Sequence, residues 1–330
     1  LGHSFEDFTT GSSGDCGSVT VDQAEITAFA RAFDPQPMHL DPRSSQAASV
    51  GGLIASGWHT CALNMRLIFT SILQGSSGMG SPGVEGVKWL RPVRPGDRLT
   101  SRYTVIGRRS SLSKPDRGFI RFRFDVRNGS DEAVLEQDNL IMFGRRDAAA
   151  AATDDLPPAR PQPPDQYIRL QEEDNPEFAT ADQLRPGLTI NLGTTHFTAE
   201  AIIEFARAYD PQPFHLSEEG GRASHFGGLS ASGWHTASAW MRTLLDHRAR
   251  EEARGRFVPR LGPSPGFRDL VWRKPVLAGD RITYFSRVLE TRRSASRPGW
   301  GIVSHRNYGI NQRGEVVFAF TGTVLWEAGQ

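Results

Sequence analysis

The feature that most limits how this 330-residue chain can fold is that it is written twice. "EITAFARAFDPQPMHL" returns as "AIIEFARAYDPQPFHL", and "GGLIASGWHT" as "GGLSASGWHT", both at an offset of 176 residues (Asp34 to Asp210, Gly57 to Gly233). A third pair, "KWLRPVRPGDRLT" and "VWRKPVLAGDRIT", returns at 183 (Gly96 to Gly279), so seven residues were added between the second and third blocks. Their simplest place is the polar "DHRAREEARGR", read as a connection rather than an element. A repeat of this length is one domain duplicated, and two such halves are expected to pack as a pseudo-dimer. Between them runs "RRDAAAAATDDLPPARPQPPDQ", rich in alanine and proline without apolar periodicity, a tether in composition. The domains are placed at 1–146 and 178–330, with the linker at 147–177.

Each half has the same coarse order. "TVDQAEITAFARAF" opens with a threonine followed by acidic residues and sets Ile26, Phe29, Ala30 and Phe33 on one helical face. The helix is expected to stop at Asp34, because a residue before proline is pushed out of helical geometry. "ASGWHTCALNMRLIFTSIL" is the most apolar helix of the half. "DRLTSRYTVIGRR", "GFIRFRFDVRN" and "AVLEQDNLIMFGRR" alternate like strands, as do "DRITYFSRVLETRR", "WGIVSHRNYGIN" and "EVVFAFTGTVLWE" later. One long buried helix wrapped by an antiparallel sheet is an α+β arrangement.

Bulk properties exclude several classes. A net charge of +1, from 38 basic and 37 acidic residues, supplies no field favouring nucleic acid or an anionic membrane. The longest apolar-rich run is broken by His59, Asn64 and Arg66, so no membrane span is expected. Cys16 and Cys61 lack metal or disulfide spacing, and no converging ligand set is seen, so no metal site is expected. The expected compartment is the cytoplasm, and no secretory start is recognisable.

The chemistry concentrates in "DPQPMHL" and "DPQPFHL". Proline fixes φ, making Asp-Pro-Gln-Pro a stiff, non-helical segment that holds Asp34 and His39 five residues apart. One copy alone reads first as a helix-terminal turn. Between copies, however, Met38 becomes Phe214, Asp41 becomes Ser217 and Pro42 becomes Glu218, while acid, prolines and histidine persist. An aspartate beside a histidine is the pairing that general acid–base catalysis uses. If the apolar helix begins at Gly57, its first N–H groups lack intrahelical acceptors and form an oxyanion site, which glycine leaves open to a ligand carbonyl. His59 and His235 read as hydrogen-bonded core histidines, and Trp58, Trp89, Trp234 and Trp272 as core or pocket wall. Lys88, Arg91, Arg94, Arg98, Arg273, Lys274 and Arg281 read first as a solvated face.

The Asp-x-x-Pro-x-His run, the glycine eighteen residues after the histidine and the Pro-Val-x-x-Gly-Asp lead-in resemble the MaoC-like (R)-specific enoyl-CoA hydratase and acyl dehydratase family. The resemblance implies a tandem, double hotdog fold, with a long central helix wrapped by antiparallel sheet in each half. It implies dyads Asp34/His39 and Asp210/His215, and Gly57 and Gly233 as oxyanion donors. The implied reaction is reversible syn hydration of a trans-2-enoyl thioester of coenzyme A or acyl carrier protein, with no resident cofactor and the basic residues as candidate phosphate contacts. Two positions depart from the family: Gln36 and Gln212 stand where asparagine is usual, and Ser56 and Ser232 where histidine often precedes the helix glycine. Both departures bear on substrate positioning. Two other classes remain open, a hotdog thioesterase and a non-catalytic acyl-thioester-binding protein.

Overall fold

The computed structural model describes residues 2–151, 153–156 and 179–329. Most of the linker expected over 147–177 lies outside these residues. The part within them is tied to the first half, where Asp154 bridges Arg109 and the Asp155 carboxylate accepts the Arg108 N–H at 2.8 Å.

The first half runs β1 (Ser13–Thr20), α1 (Gln23–Phe33), α2 (Pro37–Leu40), α3 (Ser45–Ser49), α4 (Gly57–Ile68), β2 (Gly83–Trp89), β3 (Arg98–Ser110), β4 (Arg117–Arg127) and β5 (Ala133–Gly144). The second repeats the order as β6 (Thr189–His196), α5 (Ala199–Tyr209), α6 (Pro213–Leu216), α7 (Glu218–Ala223), α8 (Gly233–Ala253), β7 (Gly266–Trp272), β8 (Arg281–Arg293), β9 (Trp300–Asn311) and β10 (Val316–Glu327). The strands β1, β2, β6 and β7 add to those expected from sequence.

Local chemistry sets the helix ends. The cap of α1 is Asp22, whose carboxylate accepts the Glu25 N–H at 2.6 Å, not the threonine two residues earlier. In α5 a threonine does cap, Thr198 accepting from Ala201. Both helices stop at the aspartate before proline, with Asp34 at φ −146°, ψ 66° and Asp210 at φ −149°, ψ 65°. The DPQP segment is not wholly non-helical. Pro37 and Pro213 open single helical turns, where a missing N–H is harmless and φ is already helical.

The added residues do not all sit in a connection. Helix α4 ends in a π-helical turn, Phe69–Leu73, whereas α8 continues a full turn past the position equivalent to Leu73. "DHRAREEA" is helical because alanine, arginine and glutamate are strong helix formers. Arg242 pairs with Asp246 one turn on, and the buried Glu251 accepts from Arg254 and Arg256.

All strands among the described residues belong to one antiparallel sheet, ordered β1-β3-β4-β5-β2-β7-β10-β9-β8-β6. The halves meet at β2 and β7, where Gly83 faces Val271 and Lys88 faces Gly266, while Val84 faces Leu270 and Val87 faces Phe267. These pairs exchange partners under the 183-residue offset, the register of a two-fold axis within one chain. The main apolar core runs across the junction. Trp58 stacks on Phe267 of the other half at 4.9 Å and 13°, and Phe33 meets Phe205 edge-on at 5.5 Å. No helix among the described residues is long and apolar enough to cross a membrane.

Candidate active site

Asp34 caps the end of α1, and the one-turn helix α2 swings His39 back beside it, so that Nε2 lies 3.4 Å from Asp34 Oδ2. Both residues are only 3% exposed, so each charge depends on its partners rather than on water. The His39 Nδ1 stands 2.8 Å from the Ile54 carbonyl oxygen and must donate to it, which leaves Nε2 facing the carboxylate. Ile54 returns the contact by giving its N–H to the Met38 carbonyl. This double tether joins the histidine turn to the segment entering α4.

The two departures from the family pattern both lie on the carboxylate. Ser56 Oγ donates to Asp34 Oδ2 at 2.6 Å, and Gln36 Nε2 donates to Oδ1 at 2.9 Å. Ser56 is also the cap of α4, accepting from the Trp58 N–H at 3.2 Å. One hydroxyl therefore links the acid to the helix whose first residue is the half-buried Gly57. The N–H of that residue has no acceptor within the helix and sits at the positive end of its dipole. Packing also demands glycine there. A Cβ would lie 2.4 Å from the Trp89 ring, so Trp89 is the wall of the helix terminus.

The second half repeats the constellation. His215 Nε2 is 3.4 Å from Asp210 Oδ2, Ser232 Oγ donates to that oxygen at 2.6 Å, and Gln212 Nε2 donates to Oδ1 at 2.9 Å. His215 Nδ1 donates to the Ser230 carbonyl at 2.7 Å. Gly233 opens α8, a Cβ there would meet the Trp272 ring at 2.2 Å, and the Trp272 indole donates to the Gly233 carbonyl at 3.1 Å.

Electrostatically the halves differ. Burial disfavours the Asp34 carboxylate, but the charge and hydrogen bond of His39, with the Ser56 and Gln36 donors, hold its pKa below the ordinary value. Burial likewise works against the His39 imidazolium, and the adjacent carboxylate outweighs it, so His39 titrates above its ordinary value. At His215 burial wins and the pKa falls. Phe214 stands edge-on to that imidazole at 4.5 Å and Phe226 lies parallel at 6.3 Å, where the first half has Met38 and Val50.

Other candidates fall away from this chemistry. His59 is stacked on Phe29 at 4.7 Å, and neither ring nitrogen has a hydrogen-bond partner. His235 is stacked on Phe205 at 4.8 Å, its pKa pushed down to about 3 by burial. They are core histidines packed on aromatic rings, with His59 Nε2 turned toward the Glu25 carboxylate at 3.9 Å. Several of the basic residues are engaged: Lys88 with Glu136 at 2.8 Å, Arg91 with Glu132 at 3.1 Å and Lys274 with Glu315 at 3.6 Å. Arg94 donates to the Val50 and Gly51 carbonyls and pins the loop before α4. Reading the sequence missed the Ile54 and Ser230 carbonyls, which as backbone groups leave no residue-type signal.

Comparison with known proteins places these halves. Residues 9–116 match the MaoC like domain, and residues 185–320 match the FAS1-like dehydratase domain region. The chain belongs to the MaoC-like dehydratase family. A MaoC domain protein from Chloroflexus aurantiacus is similar over 100% of this chain and 98% of its own, at 19% identity and a TM-score of 0.79. A Mycobacterium tuberculosis protein described as having a double hotdog fold is similar over 98% of each chain, at 18% identity and a TM-score of 0.71. A MaoC-like dehydratase from Rhodospirillum rubrum is 40% identical over 44% of this chain and 99% of its own, with a TM-score of 0.42. The fold of this MaoC-like chain is the double hotdog, in the expected α+β class.

Proposed function

We propose that the protein catalyses reversible hydration of a trans-2-enoyl thioester, of coenzyme A or acyl carrier protein, to an (R)-3-hydroxyacyl thioester, with one site in each half. The observation that carries this reading is the duplicated Asp–His pair, buried and wired through one serine to a helix-terminal glycine. In the first half Asp34, held ionised, takes a proton from water as the water oxygen bonds to C3 of the enoyl group. The electron pair of the C2–C3 double bond moves toward the thioester and leaves enolate charge on its oxygen, which the Gly57 N–H receives. The His39 imidazolium gives its Nε2 proton to C2, and Asp34 then passes the water proton to His39 across their 3.4 Å separation. Acid and base act from one side of the substrate, so the addition is syn. Asp210, His215 and Gly233 fill the same roles in the second half, while Gln36 and Gln212 hold the carboxylates.

Family membership supports hydro-lyase chemistry at the level of class, and the thioester and the residue roles are our reading. Crotonyl-CoA mixed with the protein tests it. Loss of the enoyl absorbance without thiol release, giving the (R)-3-hydroxy product, is expected. Thiol release without hydration would assign the fold to hydrolysis instead.

A further inference from the structure

The long helices do more than present Gly57 and Gly233 to their own halves. Arg242 on α8 donates through Nη1 to the carbonyl oxygens of Arg31 at 2.6 Å and Ala32 at 3.3 Å, in the last turn of α1. Its counterpart Arg66 on α4 donates to the carbonyl of Ala208 at 3.5 Å, in the last turn of α5. These carbonyls lack intrahelical donors and carry the negative end of the helix dipole, so a guanidinium satisfies both. The residues that follow the two turns are Asp34 and Asp210. A second contact repeats the crossing seven residues earlier on each long helix. His235 meets Phe33 edge-on at 5.7 Å and 79°, and His59 meets Tyr209 at 5.9 Å and 81°. Phe33 and Tyr209 immediately precede the two aspartates.

From this crossing we infer that each acid is positioned by the opposite half: His235 and Arg242 clamp the helix end that carries Asp34, and His59 and Arg66 clamp the one that carries Asp210. The inference rests on the hydratase reading only for its kinetic test. It makes the duplicated chain a functional unit, because each half braces the helix end that carries the other half's acid. The clamps differ in grip. Arg242 is held by Asp246 at 2.8 Å and reaches Arg31 closely, whereas Arg66 is drawn toward Glu25 at 2.8 Å and reaches Ala208 only at 3.5 Å. The stronger dependence therefore falls on Asp34.

The test uses full-length single-site enzymes, D210N for the first site and D34N for the second. Arg242→Met is expected to lower kcat of D210N about tenfold with KM little changed, within the roughly 10² that a 1 Å misplacement can cost. The same change should affect D34N much less, although Arg242 shares a helix with Gly233 of that second site. Arg242→Lys should restore part of the loss, since an ammonium can still donate to the carbonyls. Hydrogen exchange at residues 23–34 should quicken in Arg242→Met more than at 199–210, a readout independent of turnover. Larger damage to D34N than to D210N, equal damage to both, or unchanged exchange at 23–34 would overturn the inference. An unsubstituted protein that hydrates no enoyl thioester would instead overturn the hydratase reading and leave the exchange experiment to decide the clamp.

Discussion

Replacing Ser56 with alanine separates the two tasks of one hydroxyl. Ser56 caps α4 through the Trp58 N–H and donates to Asp34 Oδ2 at 2.6 Å. Loss of a serine cap costs about 1 kcal/mol of stability, and loss of a hydrogen bond to a charged group about 1.5–3 kcal/mol. A destabilisation of roughly 2–4 kcal/mol follows, readable as a lower urea midpoint at constant slope. The kinetic effect has a definite sign. The Asp34 pKa is depressed in the fold, so deleting a donor to the charged form raises it toward the ordinary value. Stability from Asp34 is present above the unfolded carboxylate pKa and is lost as pH falls through the folded one, and the variant loses it sooner. In the D210N background the acid limb of kcat/KM should move up by about one pH unit, since one unit corresponds to about 1.4 kcal/mol. A Ser56→Ala enzyme with an unmoved acid limb and full kcat would refute the claim that this hydroxyl holds the catalytic carboxylate.

Other outcomes follow from the same geometry. Gly57→Ala drives a methyl into the Trp89 ring and should destabilise by about 1–3 kcal/mol, as overpacking does, with Trp89→Leu in the same chain recovering part of it on denaturation. His39 titrates above and His215 below the ordinary histidine value, so an imidazolium-dependent step should survive to higher pH at the first site. In pH–rate profiles the basic limb of D210N should therefore lie above that of D34N, and coincident limbs would remove the difference. Met38→Phe with Val50→Phe in D210N, which adds the rings that stand beside His215, should deepen the burial of His39 and pull that limb down.

The parts legible in the sequence share a physical basis. The duplication follows from comparing one half with the other, and the helix stop at Asp34 from proline geometry, whereas the helical turn that returns His39 was hidden in a segment read as non-helical. Long alternating strands announced themselves by their alternation. β1 did not, because "SGDCGSVT" is an edge strand with only Cys16 fully buried and so has no apolar alternation to read. β2 and β7 sit at the junction of the halves, where partners come from residues nearly two hundred positions away. The polar "DHRAREEARGR" looked like a connection because its helix faces water on most sides, and only His247 and Glu251 turn inward. The site's acid, base and glycine were readable by type. Ser56 and Gln36 were visible only as departures, and the crossing of Arg242 onto α1 joins residues whose sequence separation hides it.

The central claim is that the two Asp–His pairs supply the acid and base of hydration. Crotonyl-CoA turnover by the unsubstituted protein, by D34N, by D210N and by the double variant tests it most directly. Each single variant should retain substantial turnover, and the double variant should fall by the 10² to 10⁴ that general acid–base groups typically supply, or further. Turnover that survives in a folded D34N/D210N chain, or vanishes in one single variant alone, would contradict the account.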